Sequence, residues 1–278
     1  MRISAQDFRQ SSQKSFTLLG MSGVGKTHLA KLLSQEAEYF HYSGDYRIGS
    51  KYLNAPILDN IKQCIAKDTY LKGLLDDESI SISNHVSFDN LSSMSNFLGK
   101  VGNPELGGLP IKEFKRRQAL FHQAEIQTMR DVPEFIAKAR AQGVENFIND
   151  AGGSLCELDD EQAYQLLAEH SIILYIKASD KNVGDLIQRS KTHPKPLYYQ
   201  SEFLDKQLET YLAQNQLTYV AQINPDEFVR WIFPRLIEHR VPKYEAIAQR
   251  YGYSIDSEAL YQCKSAADVF QLIEQVLD

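Results

Sequence analysis

Short apolar runs alternate along this chain with longer segments in which apolar residues recur every three or four positions. A short apolar run bounded by turn residues is typical of a buried β-strand, whereas the wider spacing indicates a helix that buries one face. By these criteria the sequence predicts strands at residues 15–19, 39–42, 144–150, 172–176 and 217–223. Because helical segments separate these strands, the pattern predicts an α/β fold, a parallel sheet flanked by helices.

The segment between the second and third predicted strands is too long to be a single connection. Its apolar residues follow helical spacing, so residues 55–142 are predicted to form a mostly helical insert that binds a substrate or a partner. The predicted core comprises residues 1–54 and 143–240, and its last helix is expected to begin at Pro225. Residues 241–278 are predicted to form a helical C-terminal tail.

The bulk composition is that of an ordinary globular protein, with 43% hydrophobic and 24% charged residues. A net charge of −6 gives no strong nucleic-acid signal, although it leaves room for a local basic pocket. No apolar signal segment begins the chain, and no apolar run approaches the length of a membrane span. With three widely separated cysteines, the sequence predicts a soluble cytoplasmic protein that does not associate with a membrane.

One motif identifies a ligand by its chemistry. Residues 20–27 have the pattern G-x-x-x-x-G-K-[ST] of a phosphate-binding loop, between a predicted strand and a predicted helix as the motif requires. Backbone N–H groups and the helix N-terminus supply positive potential for phosphates. Lys26 is expected to reach the β- and γ-phosphates of a nucleotide, and the Thr27 hydroxyl to bind Mg²⁺. The alternative is a plain glycine turn before a helix. The residues assigned to the nucleotide are Gly20, Ser22, Gly23, Val24, Gly25, Lys26, Thr27 and His28.

Ligands of parallel sheets bind at the carboxyl ends of the strands, and polar residues follow two of the predicted strands there. Asp45 is expected to accept the proton of a substrate hydroxyl or to hold Mg²⁺ through water, or else to cap a turn. Arg47 is expected to bind an anionic substrate group or to form a surface ion pair. Asp150 is expected to hold Mg²⁺, either directly or through water. Gly152 and Gly153 would let the backbone approach a substrate, unless Asp150 and these glycines only build a β-turn.

Further cationic candidates lie on predicted helices and in a proline-containing loop. Arg189 and Lys195 flank the segment after the fourth strand, where a lid could bring positive charge to a transferring phosphate, or where a loop could simply be solvated. Arg117 shares a helical face with Phe114 and Phe121. A charge on an apolar face should meet a ligand or a partner, or reach solvent at the rim of a domain.

The order of these motifs resembles that of the P-loop small-molecule kinases, in particular the shikimate and gluconate kinases of the nucleoside-monophosphate-kinase-like superfamily. The phosphate-binding loop is similar to theirs. Residues 43–45 resemble their acidic motif after the second strand, and residues 150–153 stand where shikimate kinases carry a glycine-rich substrate turn. Arg189 and Lys195 resemble their helix and lid after the fourth strand. The resemblance implies a kinase that uses ATP and Mg²⁺.

The chain departs from the shikimate kinase pattern in three places. Ser43 replaces the first of two aspartates, Lys195 stands at the position of a lid arginine, and residues 55–142 are much longer than the substrate-binding insert of those enzymes. These departures favour a larger or differently shaped acceptor than shikimate.

The sequence therefore predicts an ATP-dependent phosphotransferase acting on a hydroxyl of a small-molecule or nucleoside-like acceptor. Its catalytic residues would be Lys26, Asp45, Arg189 and Lys195. Most of the rate would come from positioning and electrostatic stabilisation.

A second hypothesis is an ATPase, or a nucleotide-gated binding protein, that acts with a macromolecular partner. Residues 150–153 match the D-x-x-G pattern of GTPases, but residues 176–180 are a poor match to a guanine-reading N-K-x-D motif, which favours ATP. A third hypothesis is a kinase that acts on RNA or on a protein.

Overall fold

The computed structural model describes residues 2–277, and its central element is a five-stranded parallel sheet. The strands are β1 Ser15–Leu19, β2 Tyr39–Ser43, β3 Asn146–Asp150, β4 Ile172–Lys177 and β5 Gly252–Asp256. Their order across the sheet is β2-β3-β1-β4-β5, and every neighbouring pair is parallel. The predicted α/β fold with a parallel sheet flanked by helices is confirmed.

The central strand explains why the carboxyl ends of three strands meet. All five residues of β1 are buried, because helices cover both faces of a parallel sheet. The register pairs Leu18 of β1 with Asp150 of β3 on one side and with Leu174 of β4 on the other. On the outer side of β3, Ser43 of β2 pairs with Asp150. Asp150 is therefore flanked by the ends of β1 and β2.

Fourteen α-helices lie within the described residues. None of them, over residues 2–277, combines the length and the apolar character that crossing a membrane requires. The helices are α1 Ala5–Gln10, α2 Lys26–Glu36, α3 Gly44–Arg47, α4 Asn54–Ile65, α5 Thr69–Asp76, α6 Ser92–Leu98, α7 Ile111–Arg130, α8 Val132–Ala141, α9 Glu161–His170, α10 Asp180–Thr192, α11 Ser201–Gln214, α12 Pro225–Tyr251, α13 Ser257–Gln262 and α14 Ala266–Glu274.

The prediction of a last strand at residues 217–223 is wrong. That segment forms a loop and a short 3₁₀ turn, in which the Gln222 side chain accepts hydrogen bonds from the N–H groups of residues 218 and 219. The fifth strand is β5, which lies in the segment predicted to contain helices only. Its alternation of buried and exposed residues includes Ser254 and Asp256, so it has no continuous apolar run to mark it as a strand.

The chain divides into two compact units. The sheet unit comprises residues 2–44, 125–194 and 226–277, and it contains all five strands. The helical unit comprises residues 45–124 and 195–225.

The helical unit has a hydrophobic core of its own. Because Tyr198 belongs to this core, the segment 195–225 joins the helical unit, although the sequence assigned it to the nucleotide-binding core. Conversely, α8 of the predicted insert contacts β3 in the sheet unit. Packing between distant segments decides both assignments, and no local pattern reports it. The buried members of the core are Ile48, Leu53, Ile57, Met94, Phe97, Leu98, Phe121, Ala124 and Tyr198.

Candidate functional site

The phosphate-binding loop connects β1 to α2, as its motif predicts. Gly23 has a φ of +94° and Gly25 a φ of +108°, a region that favours glycine. At Gly23 a side chain would also overlap the guanidinium of Arg189, which lies directly against the loop. Glycine at these positions therefore allows both the turn of the backbone and the close approach of a cation.

Lys26 is the first residue of α2, and its ammonium group lies within the loop. Its Nζ donates hydrogen bonds to the carbonyl oxygens of Gly20, at 2.7 Å, and Met21, at 3.0 Å. Only 6% of the residue is exposed. A buried ammonium needs such acceptors, since the helix N-terminus beside it is also positive. The result is a concentration of positive charge where the motif places phosphates.

The two residues predicted to bind Mg²⁺ lie side by side. The Thr27 hydroxyl donates a hydrogen bond of 2.7 Å to Oδ2 of Asp150, which is 8% exposed. Nε2 of His41, on β2, lies 3.6 Å from the same carboxylate oxygen, a contact that the sequence analysis did not assign. The pairing of Ser43 and Leu18 with Asp150 places this carboxylate beside the loop.

Hydroxyl and carboxylate oxygens are the ligands that Mg²⁺ prefers, so Thr27 and Asp150 fit the ion chemically. Among residues 2–277 no group of three or more His, Cys, Asp or Glu side chains could hold a metal by itself. Mg²⁺ at nucleotide sites commonly takes one or two protein oxygens and completes its octahedron with phosphates and water. These residues could accordingly hold Mg²⁺ together with a nucleotide.

The glycine turn after β3 lies against the phosphate-binding loop. A Cβ atom on Gly153 would stand 3.1 Å from the backbone N of Ser22, which is closer than an ordinary van der Waals contact. The Gly153 carbonyl accepts hydrogen bonds from Nη1 of Arg240, at 2.9 Å, and from the Tyr244 hydroxyl. Gly153, one of the two glycines predicted to bind substrate, thus lies against the loop, and Gly152 precedes it in the chain.

A buried ion pair supports this turn, and sequence analysis missed it. Nη2 of Arg240 lies 2.6 Å from Oε2 of Glu157, and both residues are almost wholly buried. Burial alone would raise the pKa of Glu157, but Arg240 and His239 more than offset it and lower that pKa below its usual value. Burial also raises the pKa of the Cys156 thiol to about 12, because Arg240 and Tyr244 lower that pKa only in part. Both charges of the ion pair are therefore retained near neutral pH.

An aromatic side chain at the exit of the loop was also missed. Tyr261, on α13, stacks on the imidazole of His28 with ring centroids 6.2 Å apart. Its hydroxyl donates a hydrogen bond of 3.3 Å to the Gly23 carbonyl, and 46% of the residue is exposed. In the sequence, only the position of Tyr261 just after β5 could have indicated that it lies beside the loop, and β5 itself was not predicted.

The remaining predicted site residues, Asp45, Arg47, Arg117 and Lys195, belong to the helical unit. Asp45 is half-buried in the first turn of α3, immediately after β2. The Arg47 guanidinium lies over the ring of Tyr52, 5.6 Å from its centroid. Lys195 is exposed in an irregular segment.

Arg117 is buried, with 7% of the residue exposed, and it is bound within the helical unit. Its Nε donates a hydrogen bond of 2.7 Å to Glu113, and its Nη1 donates one of 2.6 Å to the Phe97 carbonyl. Its guanidinium also lies over the Phe97 ring. These contacts join α6 to α7.

The fold follows from three features: the phosphate-binding loop, the all-parallel sheet, and the carboxylate of Asp150 at the end of the strand beside β1. Together they define a P-loop NTPase fold of the kinase-like type.

No protein-family model matches the chain, and no curated protein matches it. Among solved structures, it is similar to shikimate kinase from Bacteroides thetaiotaomicron, with 12% identity, a TM-score of 0.45 and coverage of 95% of this chain and 96% of that chain. It is also similar to shikimate kinase from Acinetobacter baumannii in complex with shikimate, with 16% identity, a TM-score of 0.43 and coverage of 98% and 95%. Similarity at this level identifies neither a family nor a substrate.

Proposed function

We propose that this protein is an ATP-dependent phosphotransferase that moves the γ-phosphate of ATP to a hydroxyl of a small-molecule or nucleoside-like acceptor. The observation that carries the proposal is the hydrogen bond between Thr27 and Asp150, at the end of a loop that also holds Lys26. A hydroxyl, a carboxylate and an ammonium in this arrangement match the needs of a Mg²⁺–nucleoside triphosphate.

Each part of the nucleotide would have its own contacts. The N–H groups of the loop and Lys26 bind the β- and γ-phosphates, and Arg189, packed on Gly23, adds positive charge beside them. Mg²⁺, held by Thr27 and Asp150, neutralises charge on the phosphate oxygens when it is bound. Tyr261 offers the exposed face of a ring for stacking on the base.

In the proposed reaction the acceptor hydroxyl oxygen forms a bond to the γ-phosphorus, and the bond from that phosphorus to the bridging oxygen of ADP breaks. Asp45 takes the hydroxyl proton. Lys26, Arg189 and Lys195 stabilise the negative charge that develops on the leaving oxygen and on the transferred group. The products are ADP and a phosphorylated acceptor.

The test is ATP turnover with Mg²⁺, with and without a pooled metabolite library, followed by detection of ADP and of a phosphate added to a library member. Lys26→Ala is expected to lower turnover by at least about 100-fold while leaving the fold intact, because the ammonium stabilises the transferring charge. Lys31→Ala, on the exposed side of the same helix, is the matched control and should retain activity. Full activity of Lys26→Ala would contradict this active site.

A second candidate function is an ATPase or nucleotide-gated protein that binds a macromolecule. One observation favours it: most of the large hydrophobic residues that are exposed among residues 2–277 belong to the helical unit. Exposed aromatic and aliphatic side chains are common where proteins bind one another. Turnover stimulated by a protein or a nucleic acid, and by no metabolite, would favour this function over the kinase. These exposed residues are Tyr70, Leu71, Phe88, Leu106 and Tyr219.

A further inference from the structure

Three buried side chains hold Gly153 of the glycine turn and the residue that follows it. The Gly153 carbonyl receives hydrogen bonds from Arg240 and Tyr244, as described above. The next residue, Ser154, donates its hydroxyl to Oε2 of Glu125 at 2.6 Å. Because all three side chains are buried, these contacts leave the turn little freedom to move within the sheet unit.

Stability alone does not account for the ion pair behind this turn. Removing two charges from water is unfavourable, and apolar residues of similar volume often stabilise a core at least as well. The ion pair does fix the orientation of the Arg240 guanidinium. Since Glu157 accepts from both Nε and Nη2 of Arg240, at 2.9 and 2.6 Å, the planar guanidinium is fixed with Nη1 toward Gly153.

The turn is also linked to the phosphate-binding loop. Gly153 approaches the N–H of Ser22, and the Tyr244 hydroxyl lies 3.5 Å from the sulfur of Met21. Asp150 is only three residues before Gly153 in the chain. A displacement of the turn would therefore be transmitted both to the loop and to the carboxylate that pairs with Thr27.

We propose that Arg240, Tyr244 and Glu157 are positioning residues that hold the turn of Gly152 and Gly153 against the phosphate-binding loop during phosphoryl transfer. This inference rests on the proposed function. The three side chains act through the backbone of the turn and do not touch the phosphates. A misplacement on the order of 1 Å can lower a rate about 100-fold, so the loss of a single donor is expected to lower kcat about tenfold.

Tyr244→Phe tests the inference, because it removes one donor to Gly153 with little change of shape. Tyr164→Phe is the matched control: Tyr164 is also buried and donates a hydrogen bond of 2.9 Å to a backbone carbonyl, that of Leu155, two residues further along. For each protein we would measure kcat, the thermal midpoint, and by calorimetry the affinity for Mg·ADP alone and with aluminium fluoride. The aluminium fluoride stands in for the transferring phosphoryl group and requires no known acceptor.

Tyr244→Phe is expected to lower kcat and the affinity for the aluminium fluoride complex about tenfold each, with the Kd of Mg·ADP changed less than about twofold. Tyr164→Phe should change neither. Wild-type affinity for the aluminium fluoride complex in Tyr244→Phe, or an equal loss in both variants, would overturn the positioning role. Weaker Mg·ADP binding with an unchanged kcat would overturn it too, since the side chain would then act on the nucleotide through Met21.

A second variant keeps the test decisive if Tyr244→Phe does not fold. In Arg240→Met combined with Glu157→Leu, apolar side chains replace the ion pair, and we expect a folded protein with the same loss of aluminium fluoride affinity. A folded double variant with wild-type affinity would overturn the inference. Wild-type protein that binds the complex but phosphorylates no acceptor contradicts the proposed function only. Wild-type protein that does not bind it contradicts both.

Discussion

At the scale of single residues, the neighbours of a side chain decide what it can do. The sequence predicted ligand-binding roles for both Arg117 and Arg189. Arg189 lies against Gly23 of the phosphate-binding loop, whereas Arg117 donates to Glu113 and to the Phe97 carbonyl inside the helical unit. Substrate binding by Arg117 remains a prediction, and its present contacts are structural.

The Thr27 hydroxyl is expected to be required for Mg²⁺-dependent nucleotide binding. Thr27→Val keeps the shape of the side chain but removes the oxygen, and it should weaken the Mg²⁺-dependent binding of ADP about tenfold, since a hydrogen bond to a charged group is worth roughly 1.5–3 kcal/mol. Thr27→Ser retains the oxygen and should bind as the wild type does. Calorimetric titration of ADP at several Mg²⁺ concentrations measures this. Equal binding by Val and Ser variants would exclude Thr27 as a ligand.

Tyr261 is expected to contribute to binding of the base. Tyr261→Ala should raise the Kd of Mg·ADP about tenfold, because stacking of a base on an aromatic ring is worth roughly 1–3 kcal/mol. Tyr261→Phe keeps the ring and should change that Kd less than about twofold. Magnesium pyrophosphate, which has no base, should bind both variants alike. An Ala variant that loses pyrophosphate binding as well would indicate a damaged loop instead.

At the scale of elements, α12 shows how packing can override a local signal. Proline inside a helix removes a hydrogen bond and normally ends or bends the helix, and the predicted tail begins at residue 241, next to Pro242. In the structure α12 continues through Pro234 and Pro242 as far as Tyr251. Buried residues on both sides of Pro242, including Tyr244, belong to the sheet unit, and the Tyr244 ring stacks on that of Tyr175 in β4.

The carboxylate of Glu113, in the first turn of α7, should make the free energy of unfolding depend on pH. Hydrogen bonds from Arg116, and then from Arg117, lower the pKa of Glu113 to about 2 from 4.5. Since the folded pKa is the lower one, the ionised carboxylate stabilises the fold above pH 4.5, and this contribution is lost as the pH falls from 4.5 toward 2.

Glu113→Gln should therefore be less stable than the wild type by about 1 kcal/mol near pH 6, and the difference should shrink below pH 4.5. Urea unfolding midpoints between pH 6 and pH 3.5 measure it. Substitution of the exposed Glu105 by Gln is the control. A difference that grows on acidification would have the wrong sign for this ion pair.

At the scale of the whole molecule, the chain builds two compact units from five segments. The sheet unit contains the phosphate-binding loop, Asp150, the glycine turn and Arg189. The helical unit contains Asp45, Lys195 and most of the exposed large hydrophobic residues. Nucleotide binding should therefore be a property of the sheet unit, and selection of the acceptor is expected of the helical unit.

Nucleotide binding is expected to stabilise the whole protein. At a Mg·ADP concentration about 100-fold above Kd, linkage adds about 2.7 kcal/mol, which corresponds to a rise of about 5–10 °C in Tm for a protein of this size. Lys26→Ala should abolish most of the rise, and Lys31→Ala should retain it. Differential scanning calorimetry measures both. The absence of any shift in the wild type would contradict nucleotide binding.

The sequence by itself determined the features that depend on residues close together in the chain. Four strands, the phosphate-binding loop and the start of α12 were predicted because continuous apolar runs, glycine spacing and helix-capping residues are local signals. The meeting of Thr27 and Asp150 was predictable as well, since parallel strands bring their carboxyl ends to one edge of the sheet.

Only the tertiary structure decided the features that depend on contacts between distant segments. Tyr261 reaches the carbonyl of Gly23 across 238 positions, and Tyr244 reaches Met21 across 223. The half-polar strand β5 acquires its conformation by pairing with β4, and Arg240 is buried because Glu157 lies opposite it. Hydrophobic and ionic partners of this kind leave no periodicity in the sequence, because folding brings them together without any regular spacing along the chain.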